Sequence, residues 1–191
     1  MRKPNDWDSV QAYGSYKPLE PGGYICRIVK VEETKSRNGR DMLAIFLDIA
    51  EGPEADRYAI SYKNDTRNPK KWDCMVYQLI EDQDGNTNKG FKTFIDAVEK
   101  SNSNFDEVQL WSEAFCAYLK DKIVGGVFGR EEYIDNQGKK RLSTKCMKFR
   151  DVETIRKGVE APEDKLLADP VSQNGWNSDF QPSTDDNDLP F

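Results

Sequence analysis

Residues 24–50, YICRIVKVEETKSRNGRDMLAIFLDIA, decide the fold: two runs rich in β-branched and aromatic residues flank an Asn38-Gly39 pair. Asn-Gly between apolar runs is the strongest short-range hairpin signal, because both central residues of the tight turn take positive φ. Residues 24–34 read as a first strand with Ile25, Val29 and Val31 on one face. The return strand, residues 41–50, puts Leu43, Ile45, Leu47 and Ile49 on one face and Met42, Ala44 and Phe46 on the other. Phe46 is therefore a candidate for an open face. The turn between the strands carries Lys35, Arg37 and Arg40, which makes a cationic loop tip.

Further along, Gly52-Pro53 breaks the pattern, and residues 57–63 (RYAISYK) alternate Tyr58, Ile60 and Tyr62 as a third strand would. Its register stays open, since a slip of one residue exchanges the two faces. Residues 64–72 (NDTRNPKKW) then set Arg67, Lys70 and Lys71 against the single acid Asp65, beside Tyr62 and Trp72. Helical spacing follows in residues 72–80 (Trp72, Val76, Leu79, Ile80), residues 91–100 (Phe91, Phe94, Ile95, Val98) and residues 106–119 (Val108, Trp111, Phe115, Leu119). Residues 122–134 read as a strand whose Gly125, Gly126 and Gly129 signal bulges or coiling. After the turn at residues 136–138, residues 139–150 form its partner, with six basic residues and no acid.

Three meandering strands, a helical insert and a closing hairpin is the element order of the OB-fold, a five-stranded Greek-key barrel. The expectation is a mainly β protein with a helical insert. It divides into an N-terminal arm at residues 1–19, holding Trp7, Tyr13 and Tyr16, a nucleic-acid-binding OB-fold domain at 20–158, and a disordered acidic tail at 159–191.

Composition narrows the chemistry. With 191 residues, 37% of them hydrophobic, the chain fits one domain plus tails. Its net charge of −6 is uneven: residues 161–191 hold seven acids against Lys165, leaving 27 acids and 27 bases in residues 1–160. The body is neutral overall and free to be basic on one face. Histidine is absent, which excludes His-dependent triads and mixed zinc sites, and the four cysteines form no C-x-x-C pair. There is no G-x-x-x-x-G-K-[ST] loop, and pairs such as Glu131-Glu132 read as strand-end charges. A non-enzyme without cofactor or metal is expected; a metal-dependent nuclease would have to rest on scattered carboxylates. No run approaches the roughly 18 apolar residues of a membrane span, so a soluble, cytoplasmic protein is expected.

Single-strand binding asks for cations that track phosphates and for rings on which bases stack. In the OB-fold those positions are the face of strands two and three and the loops joining strands one to two and four to five. The candidates are Arg37, Arg40, Lys63, Arg67, Lys70, Lys71, Lys139, Lys140, Arg141 and Lys145 as cations, and Phe46, Tyr58, Tyr62 and Trp72 as rings, with Tyr62 and Trp72 preferred. The bland counterpart is that strand tyrosines usually belong to a core wall and basic loops are often only solvated.

The chain ends Asp185-Asp186-Asn187-Asp188-Leu189-Pro190-Phe191, acids first and an apolar anchor flush with the terminus. About 31 residues of coil would carry it on the order of 30 Å from the domain. In this it resembles the single-stranded DNA-binding (SSB) proteins, which join an OB-fold through a disordered linker to an Asp-rich tip ending in Ile-Pro-Phe-like residues. The resemblance implies a non-catalytic protein that coats single-stranded DNA in replication, recombination and repair. Its partner enzymes would meet Asp185, Asp186 and Asp188 on a basic rim and take Leu189, Pro190 and Phe191 into a pocket. Asn187 and Leu189 depart from the family's usual acid run and Ile. The long arm and the insertion at residues 64–121 suggest a phage or mobile-element version, and a second copy of the chain is a further candidate partner. A recombination-accessory or strand-annealing module on the same fold is the alternative.

Overall fold

The computed structural model describes residues 2–5, 7 and 17–167. Ten elements follow in order: β1 (Gly22–Lys35), β2 (Asp41–Ile49), α1 (Arg57–Asn64), β3 (Met75–Leu79), α2 (Lys89–Ser101), α3 (Glu107–Leu110), α4 (Phe115–Leu119), β4 (Ile123–Ile134), β5 (Lys140–Arg150) and α5 (Val152–Lys157). The molecule is mainly β, built on one five-stranded antiparallel sheet of order β3-β2-β1-β4-β5. β3 and β5 are its edges, and among the described residues no pairing between them closes a barrel.

The first hairpin forms at the Asn-Gly pair, but only Gly39 takes positive φ and the loop spans three residues, 37–39, rather than the two of the tight turn. Gly39 takes φ 79°, and the Ser36 N–H donates to the Arg40 carbonyl at 2.8 Å. The register pairs Lys35 with Asp41 and Cys26 with Ile49, but it shifts between Ile28 and Lys30. This bulge at Val29 overturns the expected face of Ile25, Val29 and Val31. An extra residue reverses the parity of the strand, so Ile28 and Val31 are both buried in the main core while Val29 is only half-buried. Ile25 packs instead in a small separate cluster with Val127, Val152 and Ile155.

The expected third strand is a helix. Residues 57–64 form α1, and the third strand is β3, five residues inside a stretch expected to be helical. The cause is remote from both segments. Asp56, ahead of the helix, has φ 57° and offers no side-chain cap. The cap comes from β2, where the buried Asp48 carboxylate accepts from the Tyr58 N–H at 2.9 Å and the Ala59 N–H at 3.3 Å. Two of the four donors left orphaned at a helix start are thereby satisfied. With α1 spent as a helix, Met75–Leu79 takes the free edge of β2, pairing Phe46 with Met75 and Met42 with Leu79.

The other elements depart less from their sequence signals. α2 begins where Asn88 accepts from the Gly90 and Phe91 N–H groups, and it buries Phe91, Phe94, Ile95, Ala97 and Val98. The single helix expected over residues 106–119 is two short ones, interrupted at Trp111, which has φ −91° and ψ 45°. The bulge in the β4–β5 pair falls on β5 and not on the glycine-rich β4: consecutive Val127 and Phe128 face Lys148 and Cys146, which leaves Met147 as the extra residue. Gly125 of β4 lets α5 lie close, since a Cβ there would collide with the Ile155 side chain.

The start of the acidic tail lies along β4. The Lys165 N–H donates to the Arg130 carbonyl and the Glu132 N–H to the Lys165 carbonyl, both at 2.8 Å. Lys165 thus bridges β4 beyond the point where β1 leaves it. Asp185, Asp186, Asp188, Leu189, Pro190 and Phe191 lie outside the described residues, as do Tyr13 and Tyr16.

Candidate functional site

The side of β1-β2-β3 turned from the core follows from cross-strand register, because residues directly opposite one another share a face. One row runs Lys30, Phe46, Met75 and the next Glu32, Ala44, Tyr77. The Phe46 ring is half-buried with the Lys30 ammonium 5.6 Å from its centre. Met75 and Tyr77 are each 37% exposed, high for large apolar side chains on a sheet. An open groove of about 710 Å3 lies over this face, bounded by Glu32, Glu33 and Thr34 on one side and by Lys70, Lys71 and Trp72 on the other.

The segment after α1 builds the second wall. The Asp65 carboxylate accepts from Arg67 Nε at 2.8 Å, from the Arg67 N–H at 2.9 Å and from the Lys71 N–H at 2.9 Å. The Arg67 guanidinium also bonds Asp73 at 3.0 Å. These contacts, the Arg67 side chain first, hold the Asp65 carboxyl far below the usual carboxylate range. Trp72 is half-buried, and its Nε1–H donates to the Leu47 carbonyl at 2.8 Å, which fixes the indole over β2. The Tyr62 ring on α1 lies 5.4 Å from Trp72, with Lys70 Nζ 5.7 Å above Tyr62 and bonded to the Lys63 carbonyl at 2.9 Å.

The sequence candidates therefore divide. Phe46, Lys70, Lys71 and Trp72 come together at the groove, with Tyr62 against Trp72, and exposed Lys63 lies in the last turn of α1. Arg67 stays at the wall, committed to Asp65 and Asp73. Tyr58 has to be corrected. It is 5% exposed and belongs to the main core, because the α1 face that receives the Asp48 cap is turned inward. Arg37 is exposed and Arg40 half-buried on the β1–β2 loop.

The β4–β5 hairpin is less cationic than the basic run of β5 suggests. Arg141 pairs with Asp135 at 2.9 Å, Lys145 with Glu131 at 2.8 Å and Lys140 with Glu132 at 3.5 Å, while Lys139 is exposed at the turn. Glu131 and Glu132 come from the facing strand β4 and Asp135 from the turn that follows it. Glu131 also holds Lys165 at 3.3 Å, and these lysines keep its carboxyl below the ordinary range although its partial burial opposes them.

Met75 and Tyr77 in the groove, and Lys30 beside Phe46 on the same face, are not among the sequence candidates. Met75 and Tyr77 fell in a run with helical spacing, and Lys30 reaches the Phe46 row through the bulge at Val29. The alternation Met75, Tyr77, Leu79 before the Asp84-Gly85 turn was the available signal.

The surface thus offers ring faces, a thioether and ammonium groups along an open channel. The channel is open rather than enclosed, and Glu32 and Glu33 line it as well as Lys70 and Lys71. Among the described residues no group of His, Cys, Asp or Glu is placed to hold a metal ion, and no helix is long and apolar enough to cross a membrane. Comparison with known proteins finds no matching family model and no matching curated relative.

Proposed function

We propose that the protein is a non-catalytic, cytoplasmic single-stranded DNA-binding protein, an OB-fold whose barrel is opened between β3 and β5. It coats single strands during replication, recombination and repair and recruits partner enzymes through residues 185–191. The observation that carries this reading is the Phe46, Tyr77 and Met75 face flanked by the Tyr62–Trp72 ring pair, with Lys70 and Lys71 at its edge. The pairings β1–β2, β2–β3, β1–β4 and β4–β5 support the fold assignment. In an OB-fold, the face of strands two and three is where oligonucleotides lie.

Each part has a physical role. Bases stack on Tyr77 and Phe46 and against the edge of the Tyr62–Trp72 pair, at about 1–3 kcal/mol per base. Phosphates meet Lys63, Lys70, Lys71, Arg37, Arg40 and Lys139. Lys140, Arg141 and Lys145 would have to leave carboxylates that are only 15–18% exposed to meet a phosphate, so they contribute less than the other cations. Glu32 and Glu33 line the same channel, so a weakly charged rather than uniformly cationic groove is expected, and with it moderate salt dependence.

A mobility shift at low salt tests the reading. A poly-dT oligonucleotide should shift at protein concentrations that leave a duplex of equal length free, and equal affinity for the two would overturn it. Removing residues 185–191 should leave dT binding unchanged or stronger, because a tethered anionic end competes for a basic groove.

A further inference from the structure

A second cavity, of about 360 Å3, opens at the far end of β3, in the insertion that follows it. Its floor is apolar: Phe91 and Ile95 from α2 and Leu110 from α3, all buried. Trp111 stands over this floor, edge-on to Phe91 at 6.4 Å and stacked on Phe115 at 6.1 Å, yet it is 63% exposed. An exposed indole that continues an apolar pocket makes this surface a candidate for docking. The rim is acidic. Glu81, Glu99 and Glu107 line it, and the one cation among them, Lys92, already pairs with Asp96 at 2.6 Å.

The charge of the rim narrows the occupant. Single-stranded DNA is repelled by three carboxylates, and the chain's own residues 161–191, with seven acids against one base, are repelled in the same way. We propose that this pocket docks a basic peptide segment of a partner protein. Its apolar side chains enter over Leu110 against Trp111, and flanking Arg or Lys side chains meet Glu81, Glu99 and Glu107. Aromatic anchors in a pocket with a charged rim carry most of the energy of such interfaces and steer the partner's approach. The site is separate from the sheet face and does not depend on what that face binds.

Fluorescence anisotropy on the full chain tests it, with a dye-labelled hexapeptide amide of two central leucines between paired arginines. The expected result is binding at low salt that weakens at least tenfold in Trp111→Ala and in the double variant Glu99→Lys/Glu107→Lys. Both variants should keep the wild-type circular-dichroism spectrum and a cooperative thermal melt, which shows that they are folded. A remote charge reversal, Glu153→Lys/Glu163→Lys, should leave peptide binding within twofold. No peptide binding overturns the proposal. So does equal binding of the peptide with glutamates in place of arginines, or equal weakening by the remote reversal, which would reduce the effect to net charge.

Discussion

Removing the Asp48 carboxylate tests the joint on which the site depends. Asp48 is fully buried on β2 and accepts from Tyr58 N–H at 2.9 Å, Ala59 N–H at 3.3 Å and Ile49 N–H at 2.9 Å. Asp48→Ala strips two donors in the first turn of α1 of their acceptor. A buried unsatisfied group costs about 1–3 kcal/mol, and with the Ala59 donor only partly buried the loss comes to about 2–5 kcal/mol. That is a large share of a typical domain stability of roughly 5–15 kcal/mol. Asp48→Asn keeps one oxygen as acceptor and should cost about 1 kcal/mol.

The pH dependence has a definite sign. Burial raises the Asp48 carboxyl above its ordinary value, and the N–H bonds offset this only in part. The folded state therefore takes up the proton at higher pH than the unfolded chain. The contribution of this group is full below the unfolded value and declines as pH rises through the raised folded value. The margin of wild type over Asp48→Asn should accordingly shrink with rising pH across that window. Urea denaturation followed by circular dichroism measures both effects. An Asp48→Ala protein within about 0.5 kcal/mol of wild type, the usual range of an inert surface change, would refute the capping role, and a margin that grows with pH would refute the titration.

Three further outcomes follow from named contacts. Tyr77→Ala and Trp72→Ala should each lower dT-oligonucleotide affinity by about 5–150-fold, the equivalent of one stacked base, while exposed Val108→Ala leaves it unchanged; fluorescence titration reads the difference. Because Asp65 is held far below the usual range, its support of the loop is lost only at strongly acid pH. The Lys71 amide NMR shift should stay flat from pH 7 down to about 3, below the ordinary Asp value, and a midpoint near 4 would contradict this. Gly125→Ala should destabilise the fold by about 1–3 kcal/mol through overpacking against Arg150 and Ile155, as thermal melts would show.

Local signals were sufficient wherever the deciding chemistry lay within a few residues. The Asn38-Gly39 turn, the glycine-rich β4 and its return through Gly138 each carry their own instruction, so both hairpins were legible. Residues 57–64 fit two periods at once: Tyr58, Ile60 and Tyr62 alternate, while Tyr58 and Tyr62 also stand one helical turn apart. The choice between them is made by Asp48, ten residues before Tyr58, and no local pattern contains that bond. Once α1 is a helix, the face opposite Phe46 passes to β3, which is why Tyr77 is not among the sequence candidates although Phe46, Tyr62 and Trp72 are. The β4–β5 cations could be counted from sequence, but their pairing with Glu131, Glu132 and Asp135 required the register.

The most direct test of the sheet face as the nucleic-acid surface is photo-crosslinking of a 5-iodouracil dT oligonucleotide, with the adducts located by mass spectrometry. Adducts on Tyr77, Phe46, Tyr62 or Trp72 are the predicted result. Crosslinks confined to Trp111 or Trp7, or spread evenly over the exposed aromatic residues, would contradict it.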